Sequence, residues 1–331
     1  MKKWHYPFLV FLIVATVIIL AENKPEYRTS QGAVFGTTYH ITYNHNAQLT
    51  DQIKQVLQNV DNSLSTFNKS STISAINQNM PVEADTMFLK VFRMAQNISE
   101  RTSGAFDITV APAVNAWGFG FKNSETITDF IIDSLKTIVG YEKVREEQGT
   151  IVKDDSRIML DCSAIAKGYG CDMVAALFDS VGITDYMVEI GGEIVVKGMN
   201  SKGSDWRIGI SKPMDDSLAT DSELQTVLSL TDISMATSGN YRNYYYKDGK
   251  KYAHTINPAT CSPVNHNLLS VTVLAKECAV ADAYATAMMV MGLDKAMDLC
   301  DRIPEIEAYF IYQNETGVIQ TCSTPGFPID K

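Results

Sequence analysis

The stretch Asp161-Cys-Ser-Ala-Ile-Ala-Lys-Gly-Tyr-Gly170 constrains this chain most. The apolar run before it, Ile158-Met-Leu160, predicts a strand, and Met173-Val-Ala-Ala-Leu-Phe178 after it predicts a helix. A strand that passes into a helix through small residues leaves unpaired backbone N–H groups at the turn. With the helix dipole, those donors favour an anion such as a phosphate. Lys167 adds a mobile positive charge, and Asp161 an acceptor for a base edge or a sugar hydroxyl. The stretch is neither Gly-x-Gly-x-x-Gly nor a Gly-Lys-Ser/Thr phosphate loop. A tight strand–helix corner with a surface lysine would use the same residues.

Around this corner the chain mixes helical and strand periods. Ile53, Val56, Leu57, Val60 and Leu64 share one helical face, and Met87 to about Arg101 repeats the pattern with Gly104 past its end. Thr128 to Val139 predicts a further helix, and Ala279 to Met291 another. Strands are predicted at 37–43, at 186–190 and 193–196 around Gly191-Gly192, at 206–210, 225–230 and 268–274, and at 308–312 and 318–322. Hairpin turns are expected at Lys153-Asp-Asp-Ser156 and at Asp248-Gly249. Strands and helices do not alternate strictly, so the expected class is α+β, with mixed or antiparallel sheets and packed helices. A content of 45% hydrophobic and 20% charged residues over 331 positions supports a full core. The net charge of −10, with no basic run, argues against nucleic acid as a partner. The six cysteines show neither Cys-x-x-Cys nor zinc-site spacing and suggest no disulfide framework.

Lys2 and Lys3 precede an uncharged run from Phe8 to Ala21. Residues 1–21 read as an export signal or as an uncleaved anchor in the inner membrane. No cysteine is present here for a lipid anchor. Either reading exports the body of the protein to the periplasmic side of a bacterial inner membrane. Residues 22–32 read as a polar linker, and 33–325 as the functional domain.

Four further stretches can carry chemistry. In Cys278-Ala-Val-Ala-Asp-Ala-Tyr-Ala-Thr286, Asp282 and Thr286 lie four apart, so a helix puts both oxygens on one face. That pair suits Mg²⁺, or else is an aspartate at a helix start with a threonine bonded into its own helix. Ala253-His-Thr-Ile-Asn-Pro258 places His254 at a strand end, as a general base or a structural hydrogen-bonder. Ser103-Gly-Ala-Phe-Asp-Ile-Thr-Val-Ala-Pro112 and Trp117-Gly-Phe-Gly120 suit a flat ring or a core loop. Ala236-Thr-Ser-Gly-Asn-Tyr241 reads as a polar glycine turn whose hydroxyls meet phosphate or bond the turn itself.

Together these residues resemble the ApbE family, the FAD:protein FMN transferases. The resemblance runs from about residue 32 to 320 through Val34-Phe-Gly-Thr37, Leu64-Ser-Thr-Phe67, Gly104-Ala-Phe-Asp107, Trp117-Gly-Phe-Gly120, Asp161 to Gly170, Gly191-Gly192, Thr237-Ser-Gly239, His254 to Pro258 and Ala281-Asp-Ala-Tyr-Ala-Thr286. Each piece is short, and their order is what makes them specific.

The resemblance implies an ApbE-like fold, FAD as substrate, and Mg²⁺ assisting cleavage of its pyrophosphate. The FMN half would pass to a threonine hydroxyl of an acceptor flavoprotein, in a Ser/Thr-Gly-Ala-Thr-like segment, with release of AMP. It puts Phe35, Phe67, Ala105, Phe106, Asp107, Asp161, Lys167 and Thr237 along the FAD. It puts the carbonyl of Ala164, Asp282 and Thr286 on Mg²⁺, and His254 as the base on the acceptor threonine or its close supporter. Phe35 stands where the family usually has Met, and Phe67 where it usually has Tyr. Both keep an apolar surface, but Phe67 lacks a phenol hydroxyl. A Mg²⁺-dependent FAD pyrophosphatase, a non-catalytic flavin-binding protein of the cell surface, and a structural or interaction protein are the competing classes.

Overall fold

The computed structural model describes residues 5–22, 26–120, 127–213, 223–240, 244–247 and 250–329. Helix α1 (His5–Glu22) comes first; Phe8, Leu9, Val10 and Phe11 on it are exposed. No helix among the described residues is long and apolar enough to cross a membrane. Strands β1 (Tyr27–Val34) and β2 (Thr37–Asn44) form a hairpin closed by Phe35-Gly36, both at positive φ. A helical segment follows, with α2 (Thr50–Leu64), α3 (Thr72–Asn77), α4 (Thr86–Arg101), α5 (Ala111–Ala116) and α6 (Asp129–Ile138). The hairpin of β3 (Val144–Glu147) and β4 (Thr150–Lys153) leads to α7 (Ser163–Ser180).

Strands β5 (Tyr186–Ile190) and β6 (Glu193–Lys197) turn through Gly191-Gly192, and β7 (Trp206–Ser211) pairs with β8 (Leu224–Leu230). Then come β9 (Ile233–Gly239), β10 (Tyr244–Lys247), β11 (Lys250–Ala253), β12 (Ile256–Asn257), β13 (Ser262–Pro263) and β14 (Leu268–Ala275). Helices α8 (Cys278–Met291) and α9 (Leu293–Arg302) precede the last hairpin, β15 (Glu307–Gln313) and β16 (Ile319–Ser323).

One eight-stranded sheet runs β1-β2-β5-β6-β9-β14-β15-β16, with every pairing antiparallel. Its spatial order is its chain order, so it is a meander interrupted by insertions. The class is α+β, as expected. Side chains alternate across each strand and feed three clusters, one of them made by Tyr39, Ile41, Tyr43, Val188 and Ile190 with α2 and α7. Val271 and Val273 pack with α4 and α8, through Phe88, Val91, Phe92, Tyr284 and Met288. Ile194, Val196, Met235 and Leu274 face the other way, under Trp206, Ile208, Leu228 and Leu230 of the β7–β8 hairpin. Helices therefore cover one face and a hairpin covers the centre of the other.

Several expectations need correction. The stretch 22–32 is not all linker, because β1 begins at Tyr27 and forms the sheet edge. Ile158-Met-Leu160 is not a strand and belongs to no sheet; Ile158 and Leu160 are fully buried. The Asn77 side chain takes the place of a neighbouring strand, accepting from Leu160 N (2.7 Å) and donating to Leu160 O (2.8 Å). The hairpin placed at 153–156 lies earlier, with Gln148 and Gly149 at positive φ between β3 and β4. Ala236 to Gly239 belongs to β9 and is not a turn; Tyr241 falls outside the described residues. The expected Asp248-Gly249 turn also lies outside them, although the strands it would join pair from Tyr244↔Ala253 to Lys247↔Lys250.

Candidate active site

A cavity of about 730 Å³ opens where the start of α7, the α8 face, β9, the β5–β6 turn and the loop after α4 converge. This size suits a cofactor-sized ligand. Phe67, Ala105, Phe106, Asp107, Asp161, Ala164, Lys167, Thr237, His254, Asp282 and Thr286 all line it. Phe35 does not; it sits between two cores with its ring against Gly170.

The glycines of the central stretch act differently from the turn expected of them. Helix α7 already begins at Ser163, so Gly168 and Gly170 lie inside it and are buried. A Cβ on Gly168 would come within 2.4 Å of Cys278 O and 2.8 Å of Ala279 Cα, so this glycine lets α7 cross the first turn of α8 backbone to backbone. The helix start itself is built by Asp161, whose Oδ1 accepts from Ser163 N (2.8 Å) and from the Ser163 hydroxyl. Asp172, one turn beyond Gly168, accepts from Cys278 N (2.8 Å) and Ala279 N (2.9 Å) and so caps α8 from its neighbour. Burial pushes the Asp172 carboxyl up to about 6, although those two donors pull the other way.

The crossing assembles the charged part of the site. Gly168 N donates to Asp282 Oδ2 at 3.1 Å. The carbonyl of Ala164 is the i−4 partner position of that amide in α7, and Ala164 and Asp282 line the same cavity. Lys167 Nζ lies 2.7 Å from Glu193 Oε1 and 4.0 Å from Asp282 Oδ1. Burial opposes the Lys167 charge most strongly, yet Asp282 and Glu193 together hold the ammonium above its ordinary range. Burial raises both carboxyls, with Lys167 opposing the rise and Asp282 adding to it at Glu193. Two buried carboxylates thus share one ammonium, and Glu193 Oε2 has no hydrogen-bond partner among the described residues. With both carboxyls ionised the wall would hold one negative charge in excess; their raised proton affinity is one answer to that excess, and a bound cation is another.

The donor set narrows the class of cation to a hard one. Asp282 and Thr286 share a face of α8, as their spacing predicts, and the Thr286 hydroxyl lies 3.2 Å from Ser238 Oγ on β9. Carboxylate, hydroxyl and main-chain carbonyl are all hard oxygens, a set that fits Mg²⁺ and not a thiolate- or imidazole-seeking metal. No cluster of three or more His, Cys, Asp or Glu occurs among the described residues, so the protein alone offers a sparse site. Mg²⁺ commonly completes such sites with substrate phosphate and water.

The opposite wall suits a ring and its polar edge. Phe67 is 73% exposed, on the turn after α2. Phe106 and Asp107 are buried, and Asp107 accepts from Thr109 N and Thr109 Oγ1, both at 2.7 Å. Burial pushes its carboxyl up to about 6. The Thr237 hydroxyl, at the cavity, shares a hydrogen bond with Thr272 at 2.9 Å. His254 follows the end of β11, edge-on to Phe119 at 6.5 Å. The following turn holds through Asn257, whose side chain accepts from Ala259 N at 2.9 Å.

Sequence reasoning missed Glu193 and Asp172. A lone acid opening the apolar run Glu193-Ile-Val-Val196 directly after a double glycine was the available signal for the first. Asp172 gave none, because its partners are backbone amides more than a hundred residues away.

A profile of the ApbE family matches residues 35–310. A Vibrio cholerae protein named FAD:protein FMN transferase is 37% identical, over 98% of this chain and 98% of its own length. An Escherichia coli K12 protein of the same name is 33% identical, over 96% and 95%. Among solved structures, flavin transferase ApbE from Vibrio cholerae matches with a TM-score of 0.82 at 37% identity, covering 92% of this chain and 98% of that one. The apo form of the Pseudomonas stutzeri flavinyl transferase ApbE matches with a TM-score of 0.81 at 29% identity, over 92% and 96%.

Proposed function

The chain belongs to the ApbE family, and from that premise we propose that it is an FAD:protein FMN transferase that esterifies a threonine of an acceptor protein with the FMN half of FAD. One observation carries the reading: His254, Lys167 and the oxygen donors of Ala164, Asp282 and Thr286 line a single cavity large enough for FAD.

In this reading the pyrophosphate lies against the start of α7 and Lys167, and the isoalloxazine or adenine ring lies against Phe67 and Phe106. His254 accepts the proton of the acceptor threonine as its oxygen forms a bond to the FMN phosphorus. The bond from that phosphorus to the bridging oxygen breaks, and AMP leaves with the electron pair. Lys167 balances charge on the phosphate oxygens. Ala164, Asp282 and Thr286 would hold Mg²⁺, which when bound supplies electrostatic stabilisation of the pyrophosphate oxygens. Phe67 offers stacking area without a phenol hydroxyl.

The test is mass spectrometry of a peptide containing a Ser/Thr-Gly-Ala-Thr-like segment after incubation with protein, FAD and MgCl₂. The expected result is an acceptor heavier by one FMN phosphoester, with AMP in equal amount. Free FMN and AMP beside an unmodified acceptor would instead assign a pyrophosphatase. FAD bound without any product would leave only a flavin carrier.

Export is part of the same proposal. Lys2 and Lys3 ahead of the uncharged Phe8–Ala21 run support a signal that delivers the domain to the periplasmic side of the inner membrane. A fusion of residues 1–32 to alkaline phosphatase should be active in a bacterial host, and an inactive fusion would refute export.

A further inference from the structure

The proposed reaction gives Glu193 no task, yet its placement is costly. It opens β6 at 2% exposure, where the residues that follow, Ile194, Val195 and Val196, are all buried and apolar. A buried carboxylate with one unpartnered oxygen is among the least favourable groups to keep in a wall. Its Oε1 pairs with Lys167. The lysine stem runs over Gly191, where an added Cβ would meet Lys167 Cδ at 3.3 Å, and its ammonium turns to Glu193 at 2.7 Å. Asp282 Oδ1 stands only 4.0 Å from the same ammonium. The other Asp282 oxygen is engaged by Gly168 N, so Oδ1 is the oxygen open to a cation.

A lysine ammonium is a mobile point charge on a flexible stem. Deprived of Glu193, it would find its nearest anion in Asp282 and occupy the oxygen a metal needs. We infer that Glu193 is a positioning residue that holds the Lys167 ammonium away from Asp282 and so keeps Asp282 open to a divalent cation. This rests on the reading that Asp282 is a cation ligand, and the experiment separates the two.

Binding of Mn²⁺, followed by electron paramagnetic resonance on the full chain without FAD, reads the cation site independently of turnover. Glu193→Gln should weaken Mn²⁺ binding about 10-fold or more, the scale seen when an outer partner of a metal ligand is lost. Adding Lys167→Met to Glu193→Gln should restore most of that affinity, because no ammonium remains to compete. General damage from altering a buried residue would not be repaired by removing a second side chain. Lys167→Met alone should bind Mn²⁺ at least as tightly as the unaltered protein, and it serves the test even if Glu193→Gln fails to fold. The inference is overturned if Glu193→Gln binds normally, if the double variant stays as weak as Glu193→Gln, or if Lys167→Met alone loses affinity. An unaltered protein that takes up no Mn²⁺ overturns the cation reading itself, and the inference with it.

Discussion

Gly168→Ala puts the helix crossing at the site to a test of sign. On propensity alone the change should help, since alanine is better than glycine inside a helix by about 1 kcal/mol. The structure demands the opposite. The new methyl would lie 2.4 Å from Cys278 O, 2.6 Å from Cys278 C and 2.8 Å from Ala279 Cα, all backbone atoms that no rotamer change can move. Helix α7 must back away from α8, and overpacking of this kind costs about 1–3 kcal/mol. The retreat also stretches the 3.1 Å bond from Gly168 N to Asp282, a bond to a charged group in a class valued at about 1.5–3 kcal/mol. Set against the propensity gain, the net loss should be about 1.5–5 kcal/mol. Urea unfolding of the apo protein measures it, and Mn²⁺ affinity should fall in parallel as the start of α7 draws away from Asp282. Gly170→Ala is the internal control: its methyl would meet the Phe35 ring edge at 2.8 Å, and that ring can shift. A Gly168→Ala protein as stable as the parent, or more so, would refute the crossing.

Other outcomes follow from the same geometry. The Asp107 carboxyl is raised from 3.8 to about 6, so the folded state holds its proton more tightly than the unfolded chain does. Its effect therefore favours folding below pH 4, is lost as pH rises toward 6, and is flat above; the loss is at most about 3 kcal/mol. Asp107→Asn should flatten that part of the apo protein's urea-midpoint profile, and an unchanged slope would count against the burial argument. Asn77→Ala strips Leu160 of partners for both its N–H and C=O and should destabilise by about 2–4 kcal/mol in the same assay, whereas a neutral result would mean water replaces the side chain. His254→Ala should abolish transfer to the acceptor peptide while FAD binding, read by flavin fluorescence, persists; transfer at the parent rate removes His254 as base. Asp282→Ala should abolish transfer with a smaller loss of FAD binding, and full transfer would dismiss Asp282 as a ligand.

The sequence showed what short-range periodicity encodes. Helices α2 and α4 were legible because their apolar positions recur at the helical period, and α8 and β14 because they are near-continuous apolar runs. Strand β1 was not, because an edge strand needs little burial: in Tyr-Arg-Thr-Ser-Gln-Gly-Ala-Val only Ser30 is buried. The early start of α7 was hidden for a different reason. Gly168 and Gly170 imitate a turn in one dimension, and only the approach of α8 and Phe35 shows that they are contact surfaces. At the site, Asp282 and Thr286 were legible as an i,i+4 pair. The link from Lys167 to Glu193 was not, since it joins a helix to a strand across the β5–β6 turn.

The meander order of the large sheet bears on how the chain reaches its native state. Most neighbouring strands meet across modest gaps, but β2 and β5 are separated by roughly 140 residues, whose described part holds six α-helices and a small hairpin. Closing a loop of that length carries an entropic cost that a two-residue turn avoids, and contacts so distant in sequence slow folding. The β2–β5 seam, from Tyr39↔Ile190 to Tyr43↔Tyr186, should therefore zip last, after the inserted helices have collapsed and brought its two edges together.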